Sequence, residues 1–129
     1  MSLKQKGTNA ERDLVHKFWA AVPWVAHRIA GSGSSKYPSP DLIASNNIRR
    51  LAIECKATKS SSVYLPKSEI EALRKFAVMF GAESWVGVRF DRQEWFFLTL
   101  EDLHETASNF SVSLELAKMK GLLFEELVK

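Results

Sequence analysis

The chain has 129 residues, 46% of them hydrophobic, and a net charge of +3. That is enough for one compact domain spanning 1–129 with its own core, and too little for two of ordinary size. No apolar run approaches the roughly 18 to 20 residues that span a bilayer, and MSLKQKGTNAERD lacks an apolar signal core, so a cytoplasmic protein without membrane contact is expected.

Charge is unevenly distributed. Residues 1–67 hold 11 Lys and Arg against four Asp and Glu, a balance of +7, while residues 68–129 hold 7 against 11, a balance of −4. Concentrated positive charge of this kind suits a phosphate backbone, although a solvated surface has the same composition. The one cysteine, Cys55, permits no internal disulfide, lacks the companions of a structural zinc site, and is expected in the core.

Residues 1–7 show no apolar periodicity and are expected to form a flexible basic tail. Thr8 and Glu11 then have capping-box spacing, and Ala10, Leu14, Val15, Phe18 and Trp19 recur at helical intervals, which predicts a helix from Asn9 to Ala21, ended by Pro23. WVAHRIA reads as a strand and GSGSSKYPSP as a flexible loop. DLIASN and RRLAIECKA read as two strands around an asparagine turn. With the turn centred between Asn47 and Ile48, facing residue numbers sum to 95. Asp41 then faces Glu54, and Leu42 faces Ile53. Alternation sends Leu42, Ala44, Leu51, Ile53 and Cys55 to one face and Asp41, Glu54 and Lys56 to the other. After the polar segment KATKSSS, PKSEIEALRKFAVMFG has a helical stripe with Pro66 and Gly81 as start and stop. SWVGVRF and EWFFLTL read as a second hairpin whose aromatics serve the core and a subunit interface. LEDLHETA and SLELAKMKGLLFEELVK read as short helices. The order fits an α/β fold with a mixed five-stranded central sheet flanked by helices.

Opposed carboxylates in a strand pair repel unless a cation or a shared proton compensates. A divalent ion such as Mg²⁺, which takes oxygen ligands and activates water toward phosphorus, is one explanation, with Lys56 orienting that water or stabilising developing charge. A surface ion-pair cluster of Asp41, Glu54 and Lys56 is the other. His16, His27 and His104 have no metal-ligand or triad spacing.

The pattern Pro40-Asp41 followed by Glu54-Cys55-Lys56, with 12 residues between the acids, resembles the PD-(D/E)xK nuclease motif. The ordering GTNAERDLVHKF, HRIAGSGSSKYPSPDLIA, LAIECKATKSSSVYLPKSEIEAL and ESWVGVRF resembles the archaeal-type Holliday junction resolvases. The resemblance implies a restriction-endonuclease-like nuclease core. It also implies a homodimer that makes paired, symmetrical nicks in four-way DNA junctions, with Mg²⁺ as cofactor and Mn²⁺ as a substitute. By the same resemblance Glu11, Asp41 and Glu54 match the acidic metal-site positions, Lys56 the catalytic lysine, and Ser32 a serine near the scissile phosphate. Arg12 and Arg28 match basic positions that contact DNA or support catalysis, and Lys36 is a further candidate phosphate contact. The alternatives are a nuclease for other DNA structures or a non-catalytic junction-binding protein. One departure stands out: where many members have a glutamine at the start of the second helix, this chain has Glu69.

Overall fold

In the computed structural model, backbone structure is described for residues 3–129 and side chains from Gln5 onward. Helix α1 (Leu3–Ala20) begins earlier than the apolar pattern predicts. Lys4, Gln5 and Lys6 are good helix formers, and propensity continues the helix where no apolar stripe signals it. Thr8 therefore lies inside the helix and caps nothing. Of the expected flexible tail, Leu3–Gly7 is helical, and Met1 and Ser2 lie outside the described residues.

The expected strands form one mixed sheet: β1 (Val25–Arg28), β2 (Leu42–Ser45), β3 (Arg50–Thr58), β5 (Glu83–Phe90) and β6 (Trp95–Leu98), in spatial order β1-β2-β3-β5-β6. A two-residue strand, β9 (Leu122–Leu123), extends the β6 edge. The β2–β3 register pairs Leu42 with Ile53 and Ser45 with Arg50, so facing numbers sum to 95 as the turn chemistry predicts. In that turn Asn46 Oδ1 accepts the N–H groups of Ile48 and Arg49 at 3.0 and 2.7 Å, and Asn47 takes a left-handed φ of 83°. β3 and β5 are parallel, which requires a crossover. That crossover holds β4 (Ser62–Pro66) and helix α2 (Lys67–Phe80).

Two core layers lie on opposite faces of the sheet. Leu42, Ala44, Leu51, Ile53 and Cys55 pack with Leu14 and Phe18 of α1. Ala52, Val86 and Val88 pack with Ile70, Leu73 and Ala77 of α2. The aromatics Trp85, Phe90, Trp95, Phe96 and Phe97 are all buried. A second sheet, ordered β4-β8-β7, joins β4 to β8 (Asn109–Ser113) and β7 (His104–Glu105). It was not anticipated. β4 starts at the end of the polar segment KATKSSS, in residues to which the pattern assigns no element, and its partner β8 is more than forty residues away. The helix expected in LEDLHETA is only a 3₁₀ turn, Leu100–Asp102, leading into β7. The chain closes with helices α3 (Leu114–Lys120) and α4 (Phe124–Leu127), as expected for the terminal segment. No helix among the described residues is long and apolar enough to cross a membrane.

Candidate active site

Alternation in β3 sends Glu54 and Lys56 to the face covered by α2, because Leu51, Ile53 and Cys55 occupy the α1 face. Asp41 stands one residue before β2, and its main chain is held on both sides. Its N–H donates to the Ile53 carbonyl at 3.1 Å, and its carbonyl accepts from Ile29 N–H at 2.8 Å. Its carboxylate is held as well: Oδ2 accepts from Cys55 N–H at 2.9 Å and Oδ1 from Ser32 Oγ at 2.5 Å. Ser32 begins a 3₁₀ turn, Ser32–Ser34, in the loop read as flexible, and Gly31 precedes it with a φ of +70° that favours glycine.

Asp41 and Glu54 thus meet at the end of the hairpin, and they line one cleft of about 390 Å³ together with Ser32, Lys36, Ser68 and Glu69. Glu54 is 9% exposed. Burial, and then the neighbouring carboxylates Asp41 and Glu69, push its pKa up to about 9, against the opposing pull of Lys56. At neutral pH, with no cation bound, Glu54 therefore keeps its proton.

Glu11 reaches the site from α1 on the other face of the sheet, and its Oε1 accepts from Arg28 Nε at 3.1 Å. Burial and the Asp41 charge raise its pKa, and Arg28 opposes them. Lys56 Nζ lies 3.1 Å from Glu69 Oε2. Burial works against the Lys56 ammonium, but the charges of Glu69, Glu54 and Asp41 outweigh it and the net shift is upward. Cys55 is buried in the core as expected, its thiol pKa raised first by burial and then by Asp41, Glu11 and Glu54. Lys36 is exposed at the cleft, 5.4 Å from the Tyr37 ring centroid, and Arg12 is exposed on α1 and does not line the cleft.

Among the described residues no three His, Cys, Asp or Glu side chains converge as they stand to close around an ion. Glu11 is turned to Arg28. Asp41 and Glu54, the latter holding a proton chiefly because it is buried, nevertheless form an oxygen donor set short of positive charge. Such a pair fits a hard divalent ion that keeps part of its water.

The model of the family described as archaeal Holliday junction resolvase (Hjc) matches residues 2–129. The chain belongs to this family. It is 40% identical to the crossover junction endodeoxyribonuclease Hjc of Archaeoglobus fulgidus over 131 aligned residues, covering 96% of each chain. It is 32% identical to the enzyme of the same name from Sulfolobus acidocaldarius, covering 100% of this chain and 90% of that one. The 1.6 Å structure of the Archaeoglobus fulgidus resolvase superposes with a TM-score of 0.88 at 38% identity, over 95% of this chain and 100% of the other. The family implies a divalent metal, and the Asp41–Glu54 pair has the chemistry to take one.

Two contributors to this resolvase-family site escaped the sequence. The Cys55 main-chain N–H, which orients Asp41, is invisible in a side-chain pattern, although the facing register placed it nearby. The Lys56–Glu69 contact joins a strand to a helix across the crossover, and no local spacing reports it.

Proposed function

We propose that the chain is a structure-specific endonuclease that hydrolyses phosphodiesters in four-way DNA junctions, using Mg²⁺ held by Asp41 and Glu54 with Glu11 close by. The observation that carries this reading is the meeting of Asp41 and Glu54 on one cleft wall, with Lys56 two residues on along the same strand face. The names borne by the relatives support the substrate. When bound, the ion supplies Lewis acidity toward the phosphate and makes water a nucleophile near neutral pH.

The chain's own groups do the rest. Loss of the Glu54 proton completes the donor pair, so ion uptake releases a proton and strengthens as pH rises. Ser32 and the Cys55 N–H hold the Asp41 carboxylate in one orientation. Lys56 presents a cation to the non-bridging phosphate oxygens as charge develops there. Glu11 would turn from Arg28 to help hold the ion, which would free Arg28 to meet the phosphate backbone. Arg12 and Lys36 add backbone contacts that carry no sequence information, so junction shape is the main recognition signal. A homodimer supplies two sites for two strands. Exposed apolar side chains at Val25 on β1 and at Val78, Met79 and Phe80 on α2 support such pairing.

The test is strand cleavage with Mg²⁺ on a labelled four-way junction and on linear duplex built from the same arms. We expect paired, symmetrical nicks in the junction alone, abolished by Asp41→Asn. Equal cutting of both substrates would sink the structural specificity, and junction binding without any cleavage would leave only a binding protein.

A further inference from the structure

Glu69 is out of place in a cleft meant for phosphate. Its carboxylate lines the same wall as Asp41 and Glu54, adding negative charge where DNA must approach. An uncharged glutamine of nearly the same shape would avoid that cost. A first-turn acid favours a helix N-terminus wherever it points, so its place at the start of α2 explains a glutamate but not one turned toward the cleft.

The geometry supplies a reason. Glu69 Oε2 is buried, and among the described residues it makes no hydrogen bond of good angle. What faces it is the Lys56 ammonium at 3.1 Å, a charge contact between side chains only 30% and 37% exposed. Lysine is a long, freely rotating side chain with a compact charge, and β3 fixes only its root. Elements on both sides determine this contact: β3 aims Lys56 toward α2, and Ile70 and Leu73, both buried, seat the first turns of α2 on the sheet. Glu71, two residues on, points away and pairs with Arg74.

We propose that Glu69 is a positioning residue that holds the Lys56 ammonium at the cleft wall by charge, so that the lysine is in place before the junction phosphate arrives. The inference rests on the catalytic role proposed above for Lys56. Its cost is weaker attraction of DNA, and its effect falls on the rate of the bound complex. Rate and affinity should therefore respond to its loss in different directions.

The experiment compares the native chain, Glu69→Gln and, as a control that removes a charge from the same helix, Glu71→Gln. Single-turnover cleavage at saturating junction with Mg²⁺ is measured beside junction affinity in Ca²⁺. For Glu69→Gln we expect the saturated rate to fall about tenfold or more with affinity unchanged or tighter, and Glu71→Gln to match the native chain. A second readout needs neither metal nor DNA. The Lys56 Nζ resonance of lysine-labelled protein should be distinct in the native chain and collapse toward the free-lysine position in Glu69→Gln. A saturated rate equal to or above native in Glu69→Gln, or an unmoved Nζ resonance, overturns the inference. A native chain that leaves the junction uncut sinks the proposed function instead, and the resonance still decides whether Glu69 holds Lys56.

Discussion

Glu54 links the chemistry of the site to the stability of the fold. Its folded pKa near 9 lies far above the ordinary carboxylate value of about 4.5, so between those limits the folded chain binds more protons than the unfolded one. As far as this group is concerned, metal-free stability is therefore highest below about pH 4.5 and declines as pH rises toward 9. Glu54→Gln removes the need to take up a proton on folding, so the metal-free variant should exceed the native chain in urea-unfolding free energy at pH 8 by roughly 2 kcal/mol or more. The gap should close toward pH 5, and a gap that stays constant with pH would contradict the assignment. Mg²⁺ should stabilise the native chain at pH 8 and leave Glu54→Gln nearly unaffected, which a thermal melt with and without the ion checks.

At the scale of elements, the site depends on strands whose faces cannot slip. Gly87 in β5 faces Cys55 across the parallel pair, and a Cβ there would meet Phe97 Cε1 at 3.0 Å and Ile53 Cγ2 at 3.4 Å. Gly87→Ala should therefore destabilise by about 1–3 kcal/mol in urea unfolding through overpacking, and lower cleavage by disturbing β3 beside Glu54. The β2–β3 hairpin was legible in the sequence because its signals are local: an asparagine turn, two alternating runs, and one register that sends Leu42, Ala44, Leu51, Ile53 and Cys55 to the core together. The second sheet was not legible, because β4 is short, ends at Pro66 and pairs with β8 only across α2, β5 and β6 in sequence. The same divide runs through the site. Asp41, Glu54 and Lys56 belong to one hairpin and could be singled out as a set, whereas the partner of Lys56 sits on α2 and the partner of Glu11 lies beyond the end of α1. The early start of α1 is not legible because its first turns are polar and carry no apolar stripe.

The whole molecule leaves an apolar groove open between its sheet edge and α2, lined by Val25, Ala26, Ile43, Ala44 and Phe80. Phe80 is 48% exposed and stacks on Phe76 with ring centroids 5.0 Å apart. If this groove pairs two copies, Phe80→Glu should shift the light-scattering mass from dimer to monomer, and with it convert paired nicks to single ones. Junction affinity should fall steeply with salt, and Arg12→Ala should weaken binding to all sequences alike and reduce the log–log salt slope by about 1. The short hairpin loop also has a consequence in time. Closing such a turn takes microseconds, whereas the parallel β3–β5 pairing waits for a long crossover to be ordered. On these timescales we expect the two carboxylates to meet while water still screens them, with α2 covering them afterwards. We expect substitutions in the Asn46–Arg49 turn to slow folding, and substitutions that loosen α2 mainly to hasten unfolding, a contrast that stopped-flow chevrons would reveal.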